Sequence, residues 1–354
     1  MDRINHWFDQ LPGPVVWITG RERPAFRVAG EIGLLAAMLT FLAGLLVRGL
    51  PPMVGAGVVA VSVTGFFAEA LLRRLVTGRE SLVLLEHVWV TMGLAAGYLA
   101  ALGEPVSSWL DVLAVGLTVF LAAGRVGCLL GGCCHGYPSI IGPRAAASGD
   151  GSWPVIRLFP LPLVEALGLA LLAVAGFAGL LRLRAGWTAI GLGLAYALLR
   201  SGTELLRGDR PYSRLRVSAA RWMALIQLIA LLVVASVWSG SRVDLAQVAA
   251  PAVVLTAATV IFVVGRRPPA LTLELVRRLR AAADQASPTP STVPIARGVT
   301  ATIARSTAGL ELAVHGLPPA GATRLADLAF GSMTGSDQQA ARLNGSRISY
   351  FAAR

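Results

Sequence analysis

Residues 249–265 read AAPAVVLTAATVIFVVG, an apolar run in which no side chain is ionisable. The run stops sharply at the arginine and proline pairs of residues 266–269. A helix of about 20 apolar residues spans the hydrocarbon core of a bilayer, so this stretch predicts a membrane-spanning helix. The pattern predicts an all-α polytopic membrane protein with seven to eight transmembrane helices. Seven further apolar segments precede this one, at roughly 28–47, 53–72, 82–102, 110–130, 160–181, 187–206 and 220–238.

The composition of the whole chain agrees with that prediction. Of its 354 residues, 55% are apolar and 14% are charged. A soluble domain has about 25% charged residues. So little polarity cannot cover a water-exposed surface, which excludes an ordinary soluble enzyme. The net charge is +12, and basic chains often bind nucleic acid. Here no basic stretch carries interleaved aromatic residues, so we expect the arginines to face membrane lipid and expect no nucleic-acid partner.

The chain divides into four parts. Residues 1–26 form a polar and aromatic N-terminal segment without the pattern of a cleavable signal peptide. The transmembrane domain covers residues 27–267. Residues 268–298 predict a helix and a Pro/Ser linker, because LTLELVRRLRAAADQA has helical periodicity and SPTPSTVP follows it. Residues 299–354 predict a small, basic, soluble α+β appendage at the C-terminus, in which 299–316 alternate like a β-hairpin.

Ionisable side chains inside the predicted spans mark candidate sites, because each costs a few kcal/mol there. The sixth segment holds the densest set: Tyr196, Arg200, Glu204 and Arg207. Their spacing of i, i+4, i+8 and i+11 places them on one face of a helix. Arg125, in the fourth segment, is a third arginine, and Glu204 alone cannot neutralise all three. We therefore expect the guanidiniums to bind an anion such as a phosphate. A structural Arg200–Glu204 pair, with Arg207 reaching the interface, is the alternative.

The run GRVGCLLGGCCHGYPS (124–139) ends the fourth segment. Its glycines allow an irregular backbone whose N–H groups a polar head group can approach. Cys128, Cys133, Cys134 and His135 are residue types that bind zinc, but a structural zinc site usually takes a second pair of ligands, and the sequence offers none. We therefore expect packed thiols, no metal and no cofactor. The glycines predicted to approach the substrate are Gly124, Gly127, Gly132 and Gly136.

These motifs resemble those of the prolipoprotein diacylglyceryl transferase family, which are bacterial multi-span membrane enzymes. The family run GRxGNxxNGExxG is matched at five positions, and the late-helix pattern YxxxRxxxExxR is matched at all four. The family element HPxQxYEA corresponds to FPLPLVEA at 159–166, which keeps Glu165. Asp111 lies upstream at the family spacing, and Gln227 fits the following span. The resemblance covers roughly residues 25–240.

The chain departs from the family pattern at several positions. The family asparagine after GRxG is Cys128 here, and the later asparagine and glutamate are Gly131 and Cys133. The family has His-Gly-Gly in its third span, where the best-aligned stretch here is Thr91-Met92-Gly93. A histidine that would act on the acceptor thiol is therefore absent at that position. The eighth span and the basic tail are additions to the family pattern.

The resemblance implies transfer of a diacylglyceryl group from phosphatidylglycerol to the lipobox cysteine of a prolipoprotein. It implies that Arg125, Arg200 and Arg207 stabilise the phosphate and that Glu165 and Glu204 orient them. The partners would be phosphatidylglycerol, the prolipoprotein signal-peptide lipobox and membrane lipid. The location would be the plasma (inner) membrane of a bacterium, which the chain crosses several times.

Three further residues complete the expected site. Tyr196 would hydrogen-bond the lipid head group, Asp111 would join the substrate-binding set, and His135 would take the proton of the acceptor thiol. The alternative function is a non-catalytic or altered-specificity phospholipid-binding membrane protein of the same fold. A transporter would show inverted repeats, and the sequence has no clear internal repeat.

Overall fold

The computed structural model covers the predicted membrane domain up to its sixth span and part of the C-terminal appendage. Of the seventh predicted span only Gln227 is among the described residues, and the eighth lies outside them. The segment RISYF at 347–351, which the sequence predicts to be a strand, also lies outside them. The described residues are 2–77, 84–145, 156–208, 227, 273–296, 299–306, 309–315, 325 and 329.

The N-terminal segment is folded up to the first span. It forms a short helix, α1 (Asp2–Asp9), and a hairpin of two antiparallel strands, β1 (Val15–Ile18) and β2 (Arg21–Pro24). The first long helix follows β2 directly, and its Ala25 N–H donates to the Pro14 carbonyl at 2.8 Å. The hairpin is therefore joined to the end of the first span without a linker.

Six apolar helices in the described part match the first six predicted segments. α4 (Leu84–Ala101) and α7 (Trp187–Thr203) are shorter than the other four. The protein is mostly helical and multi-pass, and the count of seven to eight spans stays a prediction. The four helices that are long and apolar enough to cross a membrane are α2 (Ala25–Arg48), α3 (Pro52–Thr77), α5 (Val106–Leu130) and α6 (Leu161–Arg182).

α5 is the central helix of this bundle and packs mainly against α2 and α6. Its Trp109, Val112 and Val115 are fully buried and share a core cluster with Leu99 of α4 and Val58 of α3. The outer helices instead expose large apolar side chains, which fits contact with lipid tails. Examples are Leu35, Leu46, Phe67, Leu75, Leu171 and Val174.

The connection between α5 and α6 forms β3 (Pro138–Arg144) and β4 (Arg157–Leu158), which pair antiparallel. α1 lies against this pair. Arg157 Nη2 donates to Asp9 Oδ2 at 2.8 Å, and Arg144 Nη2 donates to the same oxygen at 3.0 Å. Hydrogen bonds from Arg157 and Arg144 lower the pKa of Asp9 from 3.8 to about 2. The N-terminal helix is thus attached to the longest loop between predicted spans.

The C-terminal appendage contains helix α8 (Leu273–Asp284) and a sheet of strands β5 (Ser291–Ala296), β6 (Val299–Ser306) and β7 (Gly309–His315). The predicted hairpin at 299–316 is present as β6 and β7. The Pro/Ser linker prediction is wrong for its second half, because β5 pairs with β6. β5 lies at the edge of the described sheet, where a proline such as Pro294 is tolerated.

The appendage packs onto the end of the bundle at which α5 finishes. Ile156 and Leu158, from the segment that includes β4, are buried in one cluster with Leu279 of α8, Ile303 of β6 and Val314 of β7. The arginines of the sixth segment reach the same end. The appendage, the N-terminal helix and the β3–β4 pair therefore gather on one side of the membrane domain.

Candidate active site

A buried glutamate joins two of the predicted arginines. Glu165 lies in the second turn of α6, and its Oε2 is 3.0 Å from Arg125 Nε of α5, an ion pair. Its Oε1 accepts from Arg200 Nη1 of α7 at 2.5 Å and from the Thr203 hydroxyl at 2.8 Å. All four residues are less than a tenth exposed. Three helices thus bring one carboxylate and two guanidiniums together.

The second acid of the cluster, Glu204, lies just past the end of α7. Its Oε2 is 2.7 Å from Arg200 Nη2 and 3.8 Å from Arg207 Nη1. Residues Glu204–Leu206 form a 3-10 turn, and Arg207 has extended backbone with φ −76° and ψ 124°. The prediction that Arg207 continues the helical face is therefore wrong, although its side chain still reaches the same cluster.

Backbone contacts with the glycine-rich run hold Arg207 in place. Gly136 and Arg207 form an isolated antiparallel bridge, and the Gly208 N–H donates to the His135 carbonyl at 3.0 Å. A Cβ on Gly136 would come within 2.9 Å of the Leu206 carbonyl oxygen, so this approach requires glycine. The motif that ends α5 and the motif that ends α7 therefore form one structure.

Three guanidiniums and two carboxylates give the described cluster a net charge of +1. The structural Arg200–Glu204 pair does form, and Arg125 is paired as well, through Glu165. Among the described residues, the guanidiniums of this cluster outnumber its carboxylates by one. Arginines gathered at the end of membrane helices suit an anion, and a planar guanidinium suits a phosphate.

The comparison with known families agrees with this arrangement. Residues 89–238 match the model of the family described as prolipoprotein diacylglyceryl transferase. Over these residues, the chain is similar to that family. It is a transferase family that acts on lipid and prolipoprotein substrates. No curated protein matches the chain. The matched range includes Arg125, Glu165, Arg200, Glu204 and Arg207.

Other residues of the prolipoprotein diacylglyceryl transferase motifs lie beside the cluster. Tyr196 lies on α7 one turn before Arg200. Gly127 lets α5 approach α2, since a Cβ there would lie 3.0 Å from the Phe26 ring. Gln227 Nε2 donates to the Gly193 carbonyl of α7 at 2.8 Å.

The remaining motif glycines have different surroundings. Gly132 has a φ of +67°, a left-handed conformation that turns the chain after α5. A Cβ on Gly124 would meet nothing within 4 Å. His135 is partly buried, and its Nδ1 lies 3.0 Å from the Gly136 carbonyl oxygen. The roles predicted for these residues toward a lipid stay predictions.

Asp111 does not lie with the arginines. It precedes Arg125 by 14 residues on one helix, which corresponds to about 21 Å. Its carboxylate accepts from the backbone N–H groups of Gly186 and Ala189, at 2.8 and 2.7 Å, and from Arg48 Nη2 at 3.2 Å. It therefore caps the start of α7, and its predicted contact with the substrate stays a prediction.

An apolar cavity of about 120 Å³ lies further along α5 from the cluster, toward the interior of the membrane domain. It is lined by α2, α3, α4 and α5, and its lining includes Phe120 and Leu121. Leu121 precedes Arg125 by about one turn of α5. The charged cluster and an apolar space therefore follow each other along α5, as the head and tails of a lipid do.

His87 is a site candidate that the motif comparison missed. It is fully buried on α4, its Nδ1 lies 2.6 Å from Glu69 Oε2 of α3, and it lines the apolar cavity. Thr91, which aligns with the family histidine, follows one turn later and lines the same cavity. The sequence could have indicated His87, because its i, i+4 spacing from Thr91 places both side chains on one face of a helix.

Proposed function

We propose that the protein transfers a diacylglyceryl group from phosphatidylglycerol to the lipobox cysteine of a prolipoprotein at a bacterial plasma membrane. The observation that carries this proposal is the buried cluster in which Arg125, Arg200 and Arg207 from two helices and the adjoining turn meet Glu165 and Glu204. Similarity to the transferase family over residues 89–238 supports it.

The charge of the cluster suits both the substrate and the leaving group. The phosphodiester of phosphatidylglycerol carries one negative charge, which balances the cluster. In the reaction, the acceptor sulfur forms a thioether bond with the glycerol carbon, and the bond between that carbon and the phosphate oxygen breaks. The bonding pair leaves with glycerol phosphate, which gains a second negative charge. Guanidiniums held by Glu165 and Glu204 stabilise that charge without reorganising.

The position of the cavity supports one orientation of the lipid. With the phosphate at Arg125, the diacylglyceryl group extends past Phe120 and Leu121 into the apolar space between α2, α3, α4 and α5. The reacting carbon then lies between the arginines and His87. The acceptor thiol, which also comes from a membrane-inserted segment, approaches from this apolar side.

Two histidines are candidates for the base that takes the thiol proton. His135 lies at the polar end of α5, next to the backbone that holds Arg207. His87 lies in the cavity, and Glu69 orients its ring in the way that a carboxylate orients a catalytic imidazole. We take His87 as the first candidate, because it lines the apolar cavity into which the diacylglyceryl group would extend.

The test is complementation of a bacterial strain depleted of its own diacylglyceryl transferase. Lipid modification of a reporter lipoprotein, read as a gel shift, should return with the wild-type chain and fail with Arg125→Ala or Arg200→Ala. Arg182→Ala, at an exposed position at the end of α6, is the matched control and should complement. A wild-type chain that binds phosphatidylglycerol vesicles but never modifies the reporter would support the alternative, a phospholipid-binding protein without this activity.

A further inference from the structure

The three cysteines of the sequence lie together in the structure, beside the arginine cluster. The Sγ atoms of Cys128, Cys133 and Cys134 are all within 4.8 Å of one another. Cys128 is buried in the last turn of α5, Cys134 is half-buried and Cys133 is exposed. The proposed transfer reaction uses none of these thiols.

The backbone after α5 is bent so that the second and third thiols return to the first. Gly132 has a φ of +67° and Cys134 a φ of +55°, both in the left-handed region. The Cys133 N–H donates to the Cys128 carbonyl at 3.1 Å. A left-handed residue with a side chain costs about 1–3 kcal/mol, and such residues concentrate at functional sites. The fold therefore maintains a strained conformation in which three sulfurs converge.

We propose that Cys128, Cys133 and Cys134 bind a zinc ion as three thiolate ligands. Zinc–sulfur bonds are about 2.3 Å long, so two thiolates on one tetrahedral zinc lie about 3.8 Å apart. Sulfurs within 4.8 Å of one another reach that spacing with movements of about 1 Å. The exposed Cys133 leaves a path for the ion and space for water as a fourth ligand.

The surrounding charges suit such a site. Three thiolates around Zn²⁺ leave a charge of −1, and Arg207 Nη2 already donates to Cys134 Sγ at 3.2 Å. The thiolate is the form that binds a metal.

Ligand chemistry narrows the choice of ion. Thiolates favour zinc and copper(I) over magnesium, calcium or manganese. Copper(I) would leave a charge of −2, which one guanidinium does not balance, so the cluster favours zinc. A structural zinc site takes four protein ligands and would need a second ligand pair. A zinc site with an open position needs only three protein ligands, which the three cysteines supply.

The test uses purified full-length protein in detergent with a phosphine reductant. After equilibration with Zn²⁺ and dialysis, we expect one zinc per chain for the wild type and for His315→Gln, the matched control. Cys133→Ser and Cys134→Ser should each lower the zinc affinity by more than about 100-fold. Substitution of a residue that only hydrogen-bonds a metal ligand already lowers the affinity by about 10–100-fold. Replacement of zinc by Co²⁺ should give a thiolate-to-cobalt charge-transfer band in the wild type.

Several results would overturn the proposal. One is zinc retained by a variant in which all three cysteines are serine, and another is wild-type protein that retains none. A third is protein isolated from membranes under alkylating conditions with a disulfide between two of the three cysteines. If a serine variant fails to fold, the wild-type protein alone can test the proposal. Bound zinc should protect its cysteine thiols from reaction with maleimide, and removal of the zinc by a chelator should restore that reaction. Loss of transferase activity is not a readout, so this test is independent of the proposed function.

Discussion

Glu165 is the residue on which the geometry of the arginine cluster depends. It accepts hydrogen bonds from Arg200 and Thr203 of α7 and forms an ion pair with Arg125 of α5. A buried ion pair that loses one partner leaves a charge without compensation, and this costs about 3–5 kcal/mol. Glu165 therefore fixes both guanidiniums at the positions where the proposed phosphate would meet them.

The substitution Glu165→Gln keeps the shape of the side chain and removes its charge. The net charge of the cluster rises from +1 to +2, and Arg125 loses its charged partner. We expect the rate of diacylglyceryl transfer to fall by about 10²–10³-fold, the range for removal of a preorganised electrostatic contact. The rate is measured with purified protein, phosphatidylglycerol and a lipobox peptide.

Glu31→Gln is the matched control for this measurement. Glu31 pairs with Arg23 and Arg27 at an exposed position, where ion pairs contribute about 0–1 kcal/mol. Its transfer rate should equal that of the wild type. A Glu165→Gln protein that transfers as fast as Glu31→Gln would show that Glu165 does not orient the arginines for catalysis.

The two candidate bases make opposite predictions. We expect His87→Gln to lower the transfer rate by about 10²–10⁴-fold, as for loss of a general base, and to leave binding of phosphatidylglycerol vesicles unchanged. His135→Gln should retain most of the activity. The reverse result would assign the thiol proton to His135, which the sequence motif predicts.

The sequence predicted some of these residues and not others, for identifiable reasons. Arg125 and Arg200 were evident because a charge inside an apolar span is rare. Arg207 was expected on the helical face, but α7 ends at Thr203 and the bridge to Gly136 directs the chain elsewhere. The His87–Glu69 pair joins two helices, and helix-to-helix contacts have no signature in one sequence.

At the scale of elements, the apolar runs predicted the helices well, because their length alone specifies a span. The residues between the spans were harder to interpret. SPTPSTVP resembles a linker in composition, yet its second half forms β5, since pairing with β6 outweighs local propensity. Asp111 matched a family position without revealing that its role is to cap a neighbouring helix.

Asp111 joins three elements, and its removal should affect stability more than substrate binding. It caps α7 through the N–H groups of Gly186 and Ala189, and it pairs with Arg48 at the end of α2. We expect Asp111→Ala to destabilise the protein by about 3–5 kcal/mol, the cost of breaking a buried pair. Thermal unfolding in detergent measures this change.

The binding assay distinguishes the structural role of Asp111 from the predicted contact with substrate. The affinity of folded Asp111→Ala protein for phosphatidylglycerol vesicles should equal that of the wild type, because Asp111 lies about 21 Å along α5 from Arg125. If Asp111→Ala lost lipid binding without losing stability, Asp111 would instead be a substrate-binding residue.

At the scale of the whole molecule, the packing of the appendage constrains the number of membrane crossings. α7 ends beside the β3–β4 pair, and the appendage buries Ile156 and Leu158 from the same end of the bundle. The chain between residues 208 and 273 must therefore return to the side from which it leaves. An even number of crossings satisfies this condition, and the sequence predicts two, at 220–238 and 247–265.

We predict that the N-terminal hairpin and the appendage lie on one side of the membrane and the α6–α7 loop on the other. Single cysteines at Thr19, Thr289 and Arg184, all exposed, report these three positions when the native cysteines are replaced by serine. When a membrane-impermeant maleimide is applied to intact cells, the cysteines at positions 19 and 289 should either both be labelled or both be protected. The cysteine at position 184 should behave in the opposite way. If Thr289 instead labels together with Arg184, the chain crosses the membrane an odd number of times after α7. The contact of the appendage with Ile156 and Leu158 would then be impossible.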